Sequence, residues 1–92
     1  MTYSLVYHHD VPTDDLPLIP RDVRERIRRA IEARLTSAPA DYGKPLRHSL
    51  KSLWSLRMGD YRVVYQIRAH EILILKIGHR RDVYEQIHSR LK

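Results

Sequence analysis

A hairpin in the second half of the chain constrains the fold more than any other feature of this sequence. Residues 53–58 and 61–68 alternate apolar and polar side chains, and the two residues between them, Gly59-Asp60, are typical of a tight β-turn. Running the register outward from this turn places Arg57 opposite Arg62. Two arginines directly opposite each other on one sheet face repel. We therefore expect this end of the sheet to bind an anion.

A third strand is predicted to follow through a second two-residue turn at Ala69-His70. Residues 71–78 are almost wholly apolar, and a two-residue turn would place Ile77 opposite Arg62. The segment His79-Arg81 would then leave the sheet at the end where the paired arginines lie. One edge of the domain is therefore expected to gather four arginines, a histidine and, slightly further along the chain, a tyrosine (Arg57, Arg62, Arg80, Arg81, His79 and Tyr84).

The remaining segments predict one α+β domain over residues 1–92. Residues 2–8 alternate weakly and favour a strand, and only a short helical turn fits between the prolines that follow. Pro20 suits the first turn of a helix that carries an apolar stripe and ends near Ser37. Residues 38–45 are predicted to be a turn-rich connection and residues 46–50 a strand, and Asp82 is predicted to cap a final helix. The expected architecture is a mainly antiparallel sheet of about five strands, with two N-terminal helices and a short C-terminal helix packed on it.

Positive charge is concentrated in the second half of the chain. Residues 1–45 contain seven Lys and Arg and seven Asp and Glu, whereas residues 46–92 contain ten against four, which accounts for the whole net charge of +6. Segregated positive charge is typical of a protein with a polyanionic partner. Arginine suits phosphate in particular, because its planar guanidinium donates two parallel hydrogen bonds and stays charged at any relevant pH. The alternative is that Arg57 and Arg62 pair with Asp60 or Asp82 and that Tyr84 is buried.

Other kinds of site find little support in the sequence. Cysteine is absent, which excludes disulfides and thiolate ligands and fits a reducing cytosol. His8-His9 and His70 show no metal-ligand spacing, so we expect neither a metal nor a cofactor. Asp14-Asp15 is interpreted as a solvated turn rather than a catalytic pair. No signal peptide is visible, and the longest apolar run, residues 72–75, is far too short to cross a bilayer, so no membrane association is expected.

Three motifs give the chain a resemblance to the RelE branch of the RelE/ParE toxin superfamily. They are the L-R-x-S/G-L segment at residues 46–50, the W-x-L-R-x-G-D-Y-R-V-V-Y core at residues 54–65, and the closing G-H-R-R-D-V-Y at residues 78–84. The length and the order of elements match as well, so the resemblance covers nearly the whole chain.

The resemblance implies the toxin of a type II toxin–antitoxin system, a cytoplasmic endoribonuclease that enters the A site of the small ribosomal subunit and cuts mRNA there. In such enzymes basic residues polarise the 2′-hydroxyl and stabilise the transition state, without a metal, and leave a 2′,3′-cyclic phosphate and a 5′-hydroxyl. The implied partners are the ribosome, mRNA and a RelB-like antitoxin that wraps the toxin. The free toxin is expected to be monomeric, and the complex with antitoxin a heterotetramer or similar.

The resemblance also assigns roles to individual residues. It implies that Arg62 contacts the scissile phosphate and that Arg80 either contacts the transition state or donates on the acid side of the reaction. Tyr84 is implied to stack on or orient the nucleotide, and Arg57 to be a basic catalytic position. Supporting RNA contacts are expected from five further residues, Lys44, Arg47, Lys51, His79 and Arg81.

One position departs from the family pattern. Ser55 occupies a site where the family has a lysine or arginine that is the candidate for activating the attacking hydroxyl, so either His79 or Lys51 would have to compensate, or catalysis is weaker or differently organised. Two other functions therefore stay open. One is a ParE-like inhibitor of DNA gyrase on the same scaffold, and the other is a catalytically inactive member that binds only antitoxin or RNA.

Overall fold

The computed structural model describes residues 2–46, 52–85 and 87–91, and a five-stranded mixed sheet runs through its centre. The strands are β1 (Ser4–Tyr7), β2 (Lys44–Pro45), β3 (Leu53–Met58), β4 (Tyr61–Arg68) and β5 (Glu71–His79). Their spatial order is β1-β5-β4-β3-β2; β1 pairs with β5 in parallel and the other neighbours pair antiparallel. The predicted α+β class, with a mainly antiparallel sheet of five strands, is confirmed.

The helices are short, and most of them precede the hairpins. Two helical turns, Val11–Asp15 and Leu16–Leu18, lead into α1 (Arg21–Ala30), which continues as a π-helical turn, Ile31–Leu35. They are followed by α2 (Pro39–Tyr42) and, at the C-terminal end, α3 (Ile87–Arg90). Among the described residues, no helix has the length and apolar character needed to span a membrane.

The apolar stripe of α1 and its continuation packs on one face of the sheet, which we call the helix face. The stripe consists of five apolar residues at helical spacing, Val23, Ile27, Ala30, Ile31 and Leu35, and all of them except the partly buried Val23 are buried there. On the solvent-exposed side of the helix, Arg28 donates hydrogen bonds to Glu25 and Glu32. The hydrogen bond from Arg28 holds the pKa of Glu25 below its usual range. The sequence pattern therefore located the buried side of this helix correctly.

The connection over residues 38–45, predicted to be irregular, contains α2 and β2. Buried Tyr65 explains this order: its hydroxyl donates a hydrogen bond of 2.5 Å to the carbonyl oxygen of Pro39. A Cβ at Gly43 would lie 1.8 Å from the Tyr65 hydroxyl oxygen, so only glycine fits where the chain passes over the ring. The connection thus folds around the Tyr65 side chain of β4. Its structure therefore cannot be predicted from residues 38–45 alone.

Both predicted turns are confirmed, and each places a residue in the left-handed region. Gly59 has φ 60° and Ala69 has φ 49°. Met58 pairs with Tyr61 and Arg57 with Arg62 across the first turn, as predicted, and Arg68 pairs with Glu71 across the second. Glycine adopts this conformation at no steric cost, whereas alanine does not.

The predicted pairing of Ile77 with Arg62 is wrong, because β5 contains a bulge. Tyr65 pairs with Ile74 but Val64 pairs with Lys76, so the register shifts by one residue and Arg62 faces Gly78. A bulge opposes two residues to one and turns every later side chain to the other face.

Two further predictions concern the strand at residues 46–50 and the cap at Asp82. Residues 47–50 lie outside the described residues, and Leu46 precedes them without strand structure. The prediction that Asp82 caps a helix is wrong: residues 80–85 form turns, in which Val83 N–H donates to His79 and Glu85 N–H donates to Asp82. The chain turns sharply here because Val83 is buried directly against Gly78.

A buried ion pair covers the edge of β5 where β1 ends. Asp15 and Arg90 are each 6% exposed in their side chains, and the Arg90 guanidinium contacts the carboxylate through Nη1 at 2.5 Å and Nη2 at 2.8 Å. Asp15 also accepts from the backbone N–H of Ile77, and Arg90 donates to the carbonyl of Leu75. The interpretation of Asp14-Asp15 as a solvated turn is therefore wrong for Asp15, whose partner lies 75 residues away.

Candidate active site

The face of the sheet opposite α1 carries the candidate site, and we call it the basic face. Cross-strand partners share a face, so the register aligns Lys44, Ser55, Val64 and Lys76 in one row across four strands. The next row toward the first turn contains Arg57, Arg62 and Gly78. These positions place four cations on one surface.

Arg57 and Arg62 differ in how their guanidinium groups are held. Arg62 Nη1 donates to the carbonyl oxygens of Gly59 and Tyr61, each at 2.9 Å, and these two bonds do not use the Nε and Nη2 donors. Arg57 is exposed, and its guanidinium has no carboxylate partner in the part of the chain that the structure describes. Neither arginine pairs with Asp60 or Asp82 among those residues, so two like charges stay adjacent without a neutralising group.

Arg80 joins the same end of the sheet. Its backbone N–H donates to the carbonyl of Asp60 at 2.8 Å, which ties the segment after β5 to the first turn. Its guanidinium Nε lies 3.9 Å from the Asp60 carboxylate, and the two side chains are 54% and 71% exposed. An ion pair with such exposed side chains and such a long nitrogen–oxygen distance contributes little stability. The Arg80 guanidinium therefore stays available to bind another anion.

Tyr84 is an exposed aromatic residue beside the arginines rather than a core residue. Its side chain is 44% exposed, and its hydroxyl lies 3.2 Å from the hydroxyl of Ser55. The buried neighbours Val83 and Ile87 fix the backbone on either side of it against the basic face. Because Tyr84 is partly exposed, its aromatic ring can stack on a base.

The other predicted contact residues are distributed unevenly. Lys44 is exposed on the basic face, directly opposite Ser55, and Arg81 is exposed in the turns after β5. His79 lies on the helix face, because it pairs with Tyr61 and their rings meet edge to face at 5.6 Å. Arg47 and Lys51 lie outside the described residues.

Residues 5–84 match the family model described as the ParE toxin of type II toxin-antitoxin system, parDE. This chain belongs to the RelE/ParE toxin family.

Two curated relatives and one solved structure support this assignment. The toxin is 39% identical over 54 residues to Toxin RelG of Mycobacterium tuberculosis, a match that spans 56% of this chain and 62% of that protein. It is 38% identical over 72 residues to Toxin RelE of the same organism, across 76% of this chain and 74% of the relative. Its fold resembles the toxin–antitoxin complex RelBE2 of M. tuberculosis with a TM-score of 0.78 and 30% identity, over 89% of this chain and 95% of that one.

The sequence did not indicate that Lys76 belongs to the basic face of this RelE/ParE toxin. An unbulged register would have paired Lys76 with Val63, which lies on the helix face. The bulge turns Lys76 over, and its Nζ donates to the carbonyl of Glu85 at 2.6 Å. No sequence signal marks the bulge, since residues 72–77 are apolar apart from this lysine.

One histidine cluster of the toxin has the composition of a metal site. Donor atoms of His8, His9 and Asp10 lie within 4.8 Å of one another, although the sequence spacing gave no reason to expect it. However, His8 Nδ1 accepts the backbone N–H of Asp10 at 3.1 Å, and the Arg90 guanidinium lies 3.9 Å from the Asp10 carboxylate. The geometry is that of a local hydrogen-bonded turn beside a cation, and we assign no ligand to it.

Proposed function

We propose that this toxin is an endoribonuclease that enters the ribosomal A site and cuts mRNA there. The observation that carries the proposal is the cluster of Arg57, Arg62 and Arg80 at one end of the basic face, with Tyr84 beside it. Hydrogen bonds to the first turn hold the guanidinium of Arg62 and the backbone of Arg80 before any ligand arrives, and buried neighbours hold the segment that carries Tyr84. Preorganised donors of this kind stabilise charge that develops in a transition state.

The proposed reaction is an attack by the 2′-hydroxyl of one nucleotide on its own 3′-phosphate. The new 2′-oxygen–phosphorus bond forms as the bond to the 5′-oxygen of the next nucleotide breaks; the 2′-hydroxyl loses its proton and the leaving oxygen gains one. The products are a 2′,3′-cyclic phosphate and a 5′-hydroxyl, and no cofactor is consumed. Arg62 and Arg80 would bind the non-bridging oxygens as negative charge grows on them, and Tyr84 would stack on the neighbouring base.

Ser55 gives this toxin a different distribution of charge around the attacking hydroxyl. The family's basic residue is absent there, but Lys44 lies directly across the strand pair from Ser55 and Arg57 lies two residues along β3. We propose that these two cations supply the positive charge at this place. Lys76 is less available, because its ammonium group already donates to Glu85. His79 is unsuited to the role, because it lies on the helix face.

Binding to the ribosome would use further basic residues in addition to the cluster. We propose Lys44, Arg47, Lys51, Arg81 and His79 as contacts to ribosomal RNA or mRNA. Such contacts position a protein on the phosphate backbone and carry no sequence information of their own. A ribosomal substrate also implies that the toxin acts in the cytoplasm.

A RelB-like antitoxin is the proposed neutralising partner, and the helix face offers it a docking surface. A cavity of about 620 Å³ lies between β1 and α1, with Val11, Ile27 and Ile31 in its lining. Arg21 and Arg24 line it as well, and Arg24 Nε is buried without a hydrogen-bond partner among the described residues. We propose that an amphipathic antitoxin segment fills the cavity with apolar side chains and brings a carboxylate to Arg24.

The test is mRNA cleavage on programmed ribosomes by the wild type, by Arg62→Ala and by Arg68→Ala. Arg68 is a matched control, since it lies on the same strand and by alternation on the same face as Arg62. It is at the other end of β4, where its guanidinium donates to Gln66. We expect the wild type and Arg68→Ala to cut ribosome-bound mRNA and to leave naked RNA intact. Arg62→Ala should cut at a rate lower by roughly 10²–10³, the usual cost of losing one preorganised donor.

A gyrase supercoiling assay with the same proteins separates the remaining functions. Inhibition of supercoiling without mRNA cleavage would assign the toxin to the gyrase-inhibiting activity. Inactivity in both assays, with intact antitoxin binding, would leave an inactive binding protein.

A further inference from the structure

The C-terminal segment that carries the candidate site residues is anchored at three places. At its start, the backbone of Arg80 is bonded to Asp60. In the middle, Val83 and Ile87 are buried against the sheet. At its end, Arg90 enters the buried pair with Asp15.

Tyr84 itself contributes little to this anchoring. The residue is 44% exposed, and within the part of the chain that the structure describes its side chain makes one polar contact, with the Ser55 hydroxyl at 3.2 Å. The position of the ring is therefore set by the backbone on both sides of it. A small displacement of that backbone would move the hydroxyl out of hydrogen-bond range.

The Asp15–Arg90 pair is suited to fixing the far end of this segment in one place. The guanidinium makes two parallel bonds to the carboxylate and a third to the carbonyl of Leu75, while Asp15 also accepts from the N–H of Ile77. The pair thus occupies two backbone groups of β5 that a neighbouring strand would otherwise use. Such a fork has one good geometry, and in some proteins a buried ion pair contributes more to conformational specificity than to net stability.

We propose that Asp15 and Arg90 are positioning residues for Tyr84, acting from the opposite edge of β5 through the segment between them. This inference rests on the function proposed above for Tyr84. Neither residue touches the substrate, and each acts on the rate of cleavage through the placement of the tyrosine ring.

The principal variant is Arg90→Lys, which keeps the charge but loses the fork. We expect it to lower kcat for ribosome-dependent cleavage by about 10-fold with little change in KM, because misplacing a catalytic group affects the chemical step. Arg28→Lys is the matched control, because Arg28 is an exposed arginine paired with glutamates on α1. It should leave kcat and KM unchanged.

A merely structural role is separated from positioning by combining variants. In a Tyr84→Ala background, Arg90→Lys should change kcat by less than about 2-fold, because the ring on which it acts has already been removed. If Arg90→Lys lowers kcat by the same factor in this background as in the wild type, the proposal is overturned. Ile72→Val, at a fully buried position of β5, serves as a destabilised control that should lower the melting temperature and leave kcat unchanged.

Two further measurements keep the test informative if a variant folds poorly or if the toxin does not cleave mRNA. Asp15→Asn keeps the shape of the side chain and one acceptor oxygen, and should reproduce the loss of kcat in a folded protein. The ¹⁹F resonance of fluorotyrosine at position 84, assigned with Tyr84→Phe, should shift and broaden in Arg90→Lys and stay unchanged in Arg28→Lys. An unaltered resonance would overturn the positioning role, whereas a shifted resonance in a toxin without cleavage would refute only the proposed function.

Discussion

Ser55 Oγ lies 3.2 Å from Tyr84 Oη, and this contact joins β3 to the segment that follows β5. It places a small hydroxyl where the resemblance to RelE-like toxins predicts a long basic side chain. A lysine or arginine at this position would reach over the basic face, whereas serine is short enough to bind the tyrosine hydroxyl. The departure at Ser55 and the placement of Tyr84 are therefore one structural feature.

The first prediction is that Ser55 and Tyr84 act as a coupled pair. Ser55→Ala and Tyr84→Phe should each slow ribosome-dependent cleavage by roughly 2- to 10-fold, since each removes the hydrogen bond that orients the ring. The double variant should be no slower than the slower single variant, a coupling of about 1 kcal/mol in a double-mutant cycle. Ser37→Ala is the control, because the hydroxyl of Ser37 donates to backbone carbonyls at the end of the helical segment. Fully additive effects would show that the contact has no role in catalysis.

The second prediction concerns the salt dependence of ribosome binding. Each phosphate contact adds about 0.7–0.9 to the slope of log K against log salt, so affinity should fall steeply as salt rises. Arg57→Gln should weaken binding and reduce the slope by about one contact. Arg29→Gln, on the solvent-exposed side of α1, should leave the slope unchanged. Equal slopes for all three proteins in a fluorescence titration would exclude Arg57 from the RNA interface.

The third prediction tests the close approach of Gly43 to Tyr65. Gly43→Ala should lower the free energy of unfolding by about 2 kcal/mol or more, because the new methyl group overlaps the tyrosine hydroxyl. Adding Tyr65→Phe should recover part of this loss, since it removes the atom in closest contact. Gly78→Ala is the control, because its Cβ would lie at an ordinary 3.6 Å from Val83. Urea denaturation measures all four proteins, and a Gly43→Ala variant as stable as the wild type would contradict the geometry.

The fourth prediction is a loss of stability between pH 10 and pH 12 that depends on Tyr65. Burial raises the pKa of Tyr65 to about 12, because the ionised phenolate would lack solvent. The folded state therefore keeps its proton where the unfolded chain, with a pKa near 10, loses it. The contribution is complete below pH 10 and is lost as the pH rises toward 12, by about 2 kcal/mol. Tyr65→Phe should flatten this part of the unfolding curve measured against pH; an unchanged slope would assign it to other groups.

Local sequence patterns were enough to predict most of the sheet and the arginine pair on it. The turn at Gly59-Asp60 fixes the register of β3 and β4, and alternation then assigns Arg57 and Arg62 to one face without further information. The apolar stripe from Ile27 to Leu35 likewise fixed the buried side of α1. These features depend on residues a few positions apart, so the sequence alone determines them.

Tertiary structure decided the features that depend on residues far apart in the chain. The bulge in β5 turned Lys76 onto the basic face and His79 onto the other, because packing of Leu75 against Val64 and Val83 selects a register that no turn signal encodes. Asp15 and Arg90 can pair because β1 ends beside Ile74 and leaves the edge of β5 beyond it unpaired by a strand. The sequence by itself determined which residues could bind an anion. The tertiary structure decided which of them share one surface, because that depends on register and on edge contacts between distant segments.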